Sequence, residues 1–237
     1  MVREKGGFWL GVAASLFYPV QWATGHRRFL GEQHIPKTGP AIIVCNHISY
    51  LDPVYTAVFV HQAGRIPRFM AKHTVMDLPF IGRLARRLDQ IPVYRGGGEA
   101  KESLRAAIDA LDKGRTVIIY PEGTITRDPD FWPMRAHTGV ARLALERDVP
   151  VIPVVHWNTH LVYDHYHGKK FRPLPRKTVV TQAGPPIDLS ALRGRPVDGQ
   201  LVREVTDHIM RSVRDLLAQV RGETAPERFF QPQRDRG

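Results

Sequence analysis

The chain has 237 residues, of which 43% are hydrophobic and 24% are charged. This composition is typical of a folded globular protein and excludes a chain that is disordered over most of its length. The net charge of +11 predicts an anionic partner, namely a membrane surface, a phosphorylated substrate or nucleic acid. Cys45 is the single cysteine, which excludes an intrachain disulfide and a cysteine-based zinc site.

An uncharged, aromatic stretch lies near the N-terminus, from Gly6 to Ala23. Pro19, Gln21 and the arginines that follow make it shorter than the about 20 apolar residues that a membrane-spanning helix needs. Tryptophan and tyrosine prefer the headgroup level of a bilayer, and arginine pairs with lipid phosphate. We therefore predict an N-terminal helical segment over residues 1–30 that docks in the membrane interface. The alternative is a buried core helix.

Short apolar runs alternate with amphipathic stretches through the rest of the chain. The runs predicted as strands are 41–45, 68–71, 91–95, 116–120, 149–156 and 178–181. The stretches predicted as helices are 53–62, 78–88, 99–113, the residues after Gly139, and 198–221. Continuous apolar strands between helices are typical of a sheet covered on both faces, with sites at the strand ends. We predict one α/β domain over 31–221, with a mostly parallel central sheet flanked by helices, and a disordered tail over 222–237.

A polar heptapeptide follows the first predicted strand: Asn46-His47-Ile48-Ser49-Tyr50-Leu51-Asp52. On a regular helix His47 and Asp52 would point about 140° apart, so they meet only if the turn is irregular. Asp52 followed by Pro53 favours a helix start, which places His47 in the preceding loop. An imidazole beside a carboxylate is the arrangement of a general base. The alternative is that Asp52 only caps the helix.

Two further strand ends carry residues that can take part in chemistry. Glu122-Gly123-Thr124 follows the strand that ends at Tyr120, and Arg95 closes another strand before a glycine triplet. If these strands share one sheet, Glu122 and Arg95 face the same crevice as His47. The alternatives are that Glu122 is only a turn carboxylate and that Arg95 is a solvated surface charge.

The chain resembles the PlsC-like glycerophospholipid acyltransferase family over about residues 36–190, in four blocks: Asn46-His47-x-x-x-x-Asp52, Val93-Tyr94-Arg95, Tyr120-Pro121-Glu122-Gly123-Thr124 and Val149-Pro150-Val151-Ile152-Pro153. The resemblance implies transfer of a fatty acyl group from acyl-CoA or acyl-carrier protein to a lysophospholipid, most often to the sn-2 hydroxyl of 1-acyl-glycerol 3-phosphate, giving phosphatidic acid. It implies His47 as the general base, Asp52 as its orienting carboxylate and Arg95 as a phosphate contact. Substrate-binding residues would be Asn46, Glu122, Gly123 and Thr124.

The third block departs from the family pattern in one position. The family continues E-G-T-R-S, with an arginine that contributes to phosphate binding, whereas this chain has Ile125 in that place. The departure predicts that phosphate binding moves to Arg127, Arg135 or His137. The acceptor stays open among 1-acyl-glycerol 3-phosphate, glycerol 3-phosphate, and another lysolipid or a glycolipid.

No metal or cofactor is predicted, because a neutral imidazole can accept an alcohol proton as the oxygen attacks a thioester. Acyl-CoA or acyl-carrier protein would be the co-substrate, and the anionic partner would be the cytoplasmic face of the cell membrane, with the protein peripheral or monotopic. In the alternative of a different class, the chain is a non-catalytic basic protein on anionic membranes, with Arg27, Arg28 and residues 169–177 as lipid contacts. No nucleic-acid partner is predicted, since the basic residues are dispersed and no recognition motif occurs.

Overall fold

The computed structural model describes residues 7–94, 99–166 and 170–232. Its strands are β1 (Gly25–Leu30), β2 (Ala41–Cys45), β3 (Met70–Lys72), β4 (Ile91–Val93), β5 (Thr116–Ile119), β6 (Val151–Trp157), β7 (Tyr163–Asp164), β8 (Lys170–Phe171) and β9 (Lys177–Ala183). Its α-helices are α1 (Phe8–Thr24), α2 (Asp52–Gln62), α3 (His73–Met76), α4 (Pro79–Arg87), α5 (Glu99–Asp112), α6 (Gly139–Glu146), α7 (Thr159–Val162) and α8 (Gly199–Arg221), and a short 3₁₀ helix covers Glu32–His34.

Five strands form the central sheet in the order β1-β9-β6-β2-β5. All neighbouring pairs are parallel except β6 and β9, which are antiparallel. Strands β3 and β4 form a separate parallel pair, which a bridge between Phe69 and Ile118 joins to β5. The predicted α/β fold with a mostly parallel sheet is therefore confirmed. His47 and Glu122 follow β2 and β5, which are neighbours in the central sheet, whereas Arg95 follows β4 along the chain, which belongs to the separate pair.

The central strands are apolar on both faces because helices cover both sides of the sheet. In β2, Ile42 and Val44 belong to the core that α5, α6 and α8 share. Ile43 and Cys45 belong to the opposite core, with Phe59 of α2. Successive side chains of a strand point to opposite faces, so one strand serves two cores. This double burial explains why residues 41–45 contain no polar side chain.

The predicted N-terminal segment divides into a helix and a strand. Helix α1 packs against α2, where the hydroxyl of Tyr18 shares a hydrogen bond with Nδ1 of His61 at 2.9 Å. Residues 25–30 form β1, whose backbone groups pair with β9 along its length. The prediction of a helical segment over 1–30 is therefore wrong for residues 25–30, which form a strand. The docking of 1–30 in a membrane interface stays a prediction. Arg27 and Arg28 lie exposed on an edge strand, where charge discourages pairing with other chains. None of the helices in the described ranges has the length and apolar character needed to cross a bilayer.

Residues 223–232 return to the body of the domain after α8. The backbone N–H of Arg135 donates to the carbonyl of Phe230 at 2.9 Å. The guanidinium of Arg214 lies 5.6 Å from the ring centroid of Phe229. The prediction of a disordered tail from 222 onward is therefore wrong for these residues, because backbone pairing and cation–π contacts hold them in place. Residues 233–237 lie outside the described ranges.

Candidate active site

His47 lies in the loop between β2 and α2, and its ring contacts Asp52, the first residue of α2. Nδ1–H of His47 donates to Oδ2 of Asp52 at 2.9 Å. The same oxygen accepts the backbone N–H groups of Ile48 and Ser49 at 2.6 and 2.8 Å. The loop is therefore folded around the carboxylate, which turns back from the helix and does not cap it. Because a carboxylate only accepts, Nδ1 carries the proton and Nε2 is left to act as a base.

The carboxylate of Asp52 is fully buried and accepts four hydrogen bonds. The fourth comes from the hydroxyl of Thr159, which donates to Oδ1 at 2.5 Å. Burial by itself would raise the pKa of Asp52, but the hydrogen bond from His47, the nearby imidazole of His156 and the Thr159 hydroxyl outweigh it and lower the pKa. An ionised carboxylate here orients the His47 ring and stabilises the imidazolium that forms when Nε2 takes a proton.

Glu122 lies behind the His47 loop and does not face the crevice. Its Oε1 accepts the backbone N–H of His47 at 3.0 Å, and its Oε2 accepts that of Met134 at 3.0 Å. The side chain is 3% exposed. Burial raises the pKa of Glu122 to about 8, and the two N–H donors reduce that rise. Both oxygens therefore join the His47 loop to Met134. This geometry does not favour contact between Glu122 and the acceptor, which stays a prediction.

Asn46 is likewise a buried structural residue. Its side-chain N–H donates to the carbonyl of His156 in β6 at 3.1 Å, and its Oδ1 accepts the N–H of the same residue at 2.8 Å. These two bonds hold the end of β2 against β6. The amide of Asn46 is thus used within the protein, which does not favour contact with a substrate, and substrate binding by Asn46 stays a prediction.

A buried hydrogen-bond network centred on Thr56 of α2 lies next to the His47–Asp52 pair. The Thr56 hydroxyl is 2.7 Å from the hydroxyl of Tyr120 and 2.7 Å from Nε2 of His156. On its other side, Nδ1 of His156 is 3.1 Å from the hydroxyl of Thr181. The ring of Tyr120 lies 4.6 Å from that of His47 between centroids. The network therefore holds an aromatic ring against the imidazole.

Burial of the His156 imidazole makes the free energy of unfolding depend on pH. Burial lowers its pKa to about 4, whereas the unfolded chain protonates a histidine below about pH 6.5. The contribution of His156 to stability therefore falls as pH falls from about 6.5 to about 4, by about 3 kcal/mol in all. Urea unfolding at about pH 7.5 and about pH 4.5 should show that the free energy of unfolding of the wild type, relative to that of His156→Gln, is lower at the acidic pH, because the glutamine amide does not titrate. A difference between the two proteins that is equal at both pH values would contradict the prediction.

A cavity of about 1020 Å³ opens beside His47, which forms part of its wall. One part of the lining is apolar and comes from α1, α2, α4 and the residue that follows α4: Leu10, Ala13, Ala14, Phe17, Ala57, Val58, Ile81, Leu84, Ala85 and Leu88. Another part is polar: Lys72, Tyr94, Gly123, Thr124, His137, Thr138, Gly139 and Arg142. The imidazole therefore meets a space that can take both a long apolar chain and a charged group.

Three of the residues predicted to bind substrate line this cavity: Gly123, Thr124 and His137. The two predicted arginines lie away from its described lining. Arg127 packs over the ring of Tyr166 at 5.8 Å, and Arg135 is exposed where its backbone pairs with residue 230. Arg95, predicted as a phosphate contact, falls outside the described residues. Of the three candidates proposed to replace the family arginine, the structure brings only His137 to the cavity.

Two cationic residues that the sequence did not single out also line the cavity, Lys72 and Arg142. Lys72 is the last residue of β3, and its position directly after a predicted strand could have marked it as a candidate site residue. Arg142 lies in the first turn of α6, and nothing in the sequence distinguishes it from other helical arginines. Ile125, which stands where the family has arginine, is buried in the same wall. Positive charge is therefore present in the cavity, but Lys72 and Arg142 carry it and position 125 does not.

The histidines between residues 156 and 166 are used in packing. The ring of His160 stacks on that of Phe131 with centroids 4.1 Å apart. The ring of His165 meets Tyr50 edge-on at 4.7 Å. Across the ranges that the structure describes, no group of three or more His, Cys, Asp or Glu side chains is arranged to hold a metal ion.

Thr159 is a positioning residue that sequence reasoning missed, since it lies 107 positions from the carboxylate it contacts. We expect Thr159→Val to lower kcat by about tenfold, because loss of a hydrogen bond to a buried charged group costs about 1.5–3 kcal/mol. Thr159→Ser keeps the hydroxyl and should stay near the wild type. Steady-state kinetics should show the loss in kcat with the acceptor KM unchanged. Equal impairment of the two variants would mean that the side chain matters for packing alone.

Comparisons with known proteins show which family the chain resembles. The sequence model of the Acyltransferase family matches residues 26–157. A 1-acyl-sn-glycerol-3-phosphate acyltransferase of Borreliella burgdorferi is 28% identical over 141 residues, which cover 59% of this chain and 54% of that protein. A lysophospholipid acyltransferase of Arabidopsis thaliana, LPEAT1, is 31% identical over 125 residues, 49% of this chain and 28% of that protein. This chain thus matches about half or less of the length of these relatives.

The fold has a solved counterpart. The crystal structure of the 1-acyl-sn-glycerophosphate acyltransferase PlsC from Thermotoga maritima superposes with a TM-score of 0.64 at 25% sequence identity, covering 88% of this chain and 80% of that one. The family match spans more than half of the chain and includes the His47 loop, Asp52 and Glu122. On these grounds the chain belongs to the Acyltransferase family.

Proposed function

We propose that this chain transfers a fatty acyl group from a thioester donor, acyl-CoA or acyl-carrier protein, to the sn-2 hydroxyl of 1-acyl-glycerol 3-phosphate, giving phosphatidic acid. The observation that carries the proposal is the His47–Asp52 pair in the wall of a large, mainly apolar cavity. The names of the Borreliella burgdorferi and Thermotoga maritima relatives support this acceptor.

The reaction that this geometry supports is a direct transfer between two bound substrates. Nε2 of His47 takes the proton of the acceptor hydroxyl while that oxygen forms a bond to the thioester carbonyl carbon. The C–S bond then breaks, and the imidazolium returns the proton to the leaving thiolate. The products are an ester and a free thiol. Asp52 holds the ring in place and stabilises its charged form between the two proton transfers.

The lining of the cavity fits the two ends of these substrates. Side chains of α1, α2 and α4 offer an apolar surface to an acyl chain. Lys72, His137 and Arg142 offer donors to a phosphate, and the N-terminus of α6, which Gly139 begins, also lines the cavity and favours negative charge. We therefore assign the phosphate of the acceptor to these three residues, in place of the arginine that the family has at position 125.

A second acceptor class is supported by the apolar side chain of Ile125. A buried isoleucine lies in the cavity wall where the family has a phosphate-binding arginine. Relatives of similar identity carry the names lysophospholipid acyltransferase and N-acylphosphatidylethanolamine synthase. These observations favour another lysolipid as the alternative acceptor, with the same chemistry at His47. Glycerol 3-phosphate and a glycolipid remain further alternatives.

We also propose that the protein works at the cytoplasmic face of the cell membrane, as a peripheral or monotopic protein. Helix α1 contains no charged residue, and it exposes Phe8, Leu16 and Trp22. Aromatic side chains on an uncharged helix face favour the headgroup region of a bilayer. Leu10 and Phe17 of the same helix line the cavity, so a lipid acceptor would have a short path from the membrane to His47.

The proposal is tested by measuring acyl transfer from palmitoyl-CoA with the purified full chain. The acceptors are 1-acyl-glycerol 3-phosphate, glycerol 3-phosphate and lysophosphatidylethanolamine, each offered to the wild type, to His47→Ala and to a control, His208→Ala on α8. We expect transfer to 1-acyl-glycerol 3-phosphate that falls by about 10²–10⁴-fold in His47→Ala and persists in the control. Lys72→Ala and Arg142→Ala should raise the KM of phosphate-bearing acceptors.

Each other outcome of this assay separates the alternatives. Transfer only to another acceptor would support the mechanism at His47 and show that 1-acyl-glycerol 3-phosphate is not the substrate. Activity that survives in His47→Ala would rule out the proposed base. No transfer to any acceptor, together with vesicle binding that is unchanged in His47→Ala, would support the non-catalytic membrane protein.

A further inference from the structure

Large apolar side chains are exposed on the segment between β6 and β9. Leu174, which lies between two prolines, is 75% exposed, and Phe171 on β8 is 59% exposed. Leu161 and Tyr166 are also exposed. We call residues 161–166 and 170–177 the hairpin surface. A single exposed apolar residue needs no explanation, but several on one short segment mark an interaction site.

Ring contacts connect the hairpin surface to the cavity beside His47. The ring of Tyr163 lies 6.3 Å from that of Phe171 and 6.0 Å from that of Tyr50, between centroids. Tyr50 lines the cavity. The hydroxyl of Ser49, two residues after His47, donates to the carbonyl of Tyr163 at 2.7 Å. A partner bound to the hairpin surface would therefore lie next to the part of the cavity wall that Tyr50 forms.

The hairpin surface also continues the exposed face of α1. The guanidinium of Arg176 lies 4.9 Å from the ring centroid of Trp22. It donates to the carbonyls of Trp22 at 2.5 Å and of Gly25 at 3.1 Å. Trp22 is one of the exposed side chains on the uncharged helix α1. The two surfaces meet at this contact and can face the same partner.

The charge of the hairpin surface indicates what that partner is. The hairpin surface contains four Lys or Arg, namely Lys170, Arg172, Arg176 and Lys177, and a single acidic residue, Asp164. Lys170 and Arg172 are exposed on either side of Phe171 along the chain. A lipid bilayer with anionic headgroups takes up leucine and aromatic side chains while its phosphates attract lysine and arginine. Nucleic acid would match the charge but not the exposed Leu174.

We propose that the hairpin surface docks on an anionic lipid bilayer and brings the opening of the cavity to the membrane. The inference rests on the proposed function, since it explains how a lipid acceptor reaches His47. Docking itself requires no catalysis, so the two can be tested separately.

The test is co-sedimentation of the full chain with vesicles of phosphatidylglycerol and phosphatidylcholine, and with vesicles of phosphatidylcholine alone. The apolar pair Phe171→Ser/Leu174→Ser should weaken binding to the anionic vesicles by about tenfold or more, because two apolar side chains no longer leave water. The charge pair Lys170→Gln/Arg172→Gln should weaken binding to the anionic vesicles only. Val197→Ser is the matched control, since Val197 is 65% exposed in the loop before α8; its binding should be unchanged.

A second measurement distinguishes docking from folding and from catalysis. Both pairs should keep full acyl transfer from a short-chain donor to a monomeric, short-chain acceptor, because none of the four residues lines the cavity. Wild-type protein that fails to bind anionic vesicles, or pairs that bind as well as the wild type, would overturn the proposal. So would stronger binding to a DNA duplex, lost in the charge pair and kept in the apolar pair. Docking that follows the expected pattern without any acyl transfer would support this inference and remove the proposed function.

Discussion

We expect Asp52→Asn to lower kcat for acyl transfer by about 10²–10⁴-fold, the range that a general base contributes. An asparagine amide that turns its NH₂ group toward His47 donates a hydrogen bond to Nδ1. The ring then carries its proton on Nε2, which cannot accept a proton from the acceptor hydroxyl. The variant therefore removes the base without removing the imidazole, and the acceptor KM should change little.

The same substitution should also reduce stability. Oδ2 accepts the His47 ring N–H and the backbone N–H groups of Ile48 and Ser49, and an amide cannot accept all the bonds that the carboxylate accepts. Each buried donor left without an acceptor costs about 1–3 kcal/mol. Urea unfolding measures this loss, with Asp109→Asn on the exposed face of α5 as the control. A kcat equal to that of the control would show that Asp52 does not assist His47.

We expect Glu122→Gln to lower kcat while the acceptor KM stays near that of the wild type. The amide places N–H where a carboxylate oxygen now accepts the backbone N–H of His47 or Met134, so the His47 loop loses a support. Within the described residues the cavity lining passes from Pro121 to Gly123 and leaves Glu122 out. A rise in acceptor KM with unchanged kcat would instead favour direct contact between Glu122 and the substrate.

The effect of Glu122→Gln on stability should depend on pH. Burial raises the pKa of Glu122 to about 8, so the folded chain keeps a proton that the unfolded chain releases near pH 4.3. The contribution of Glu122 to stability therefore falls as pH rises from about 4.3 to about 8. Glutamine does not titrate, so the difference in unfolding free energy between wild type and variant should shrink over this interval. A constant difference would show that Glu122 is ionised in the folded state throughout.

The sequence by itself determined the alternation of strands and helices in the core, and it indicated the pairing of His47 with Asp52 while leaving a helix cap as the alternative. Both are local properties. Strands buried on both faces need uninterrupted apolar residues, as in 41–45, and amphipathic helices show a period of 3.6 residues. The His47–Asp52 pair spans five positions, and the Asp-Pro helix start was enough to place the imidazole in the loop before α2.

Only the tertiary structure decided how the other polar residues are used. Asn46 and Glu122 look like site residues in the sequence, but in the fold their side chains bond to the protein backbone. Asn46 contacts His156, 110 positions along the chain, and Glu122 contacts Met134, 12 positions along. Conversely, Thr159 reaches Asp52 across 107 positions, and β1 forms because β9 lies beside it. Such contacts depend on which strands are neighbours, and a polar side chain carries no local signal of its distant partner. The chemistry of the candidate site was therefore readable from the sequence, whereas the residues that support it became known from the fold.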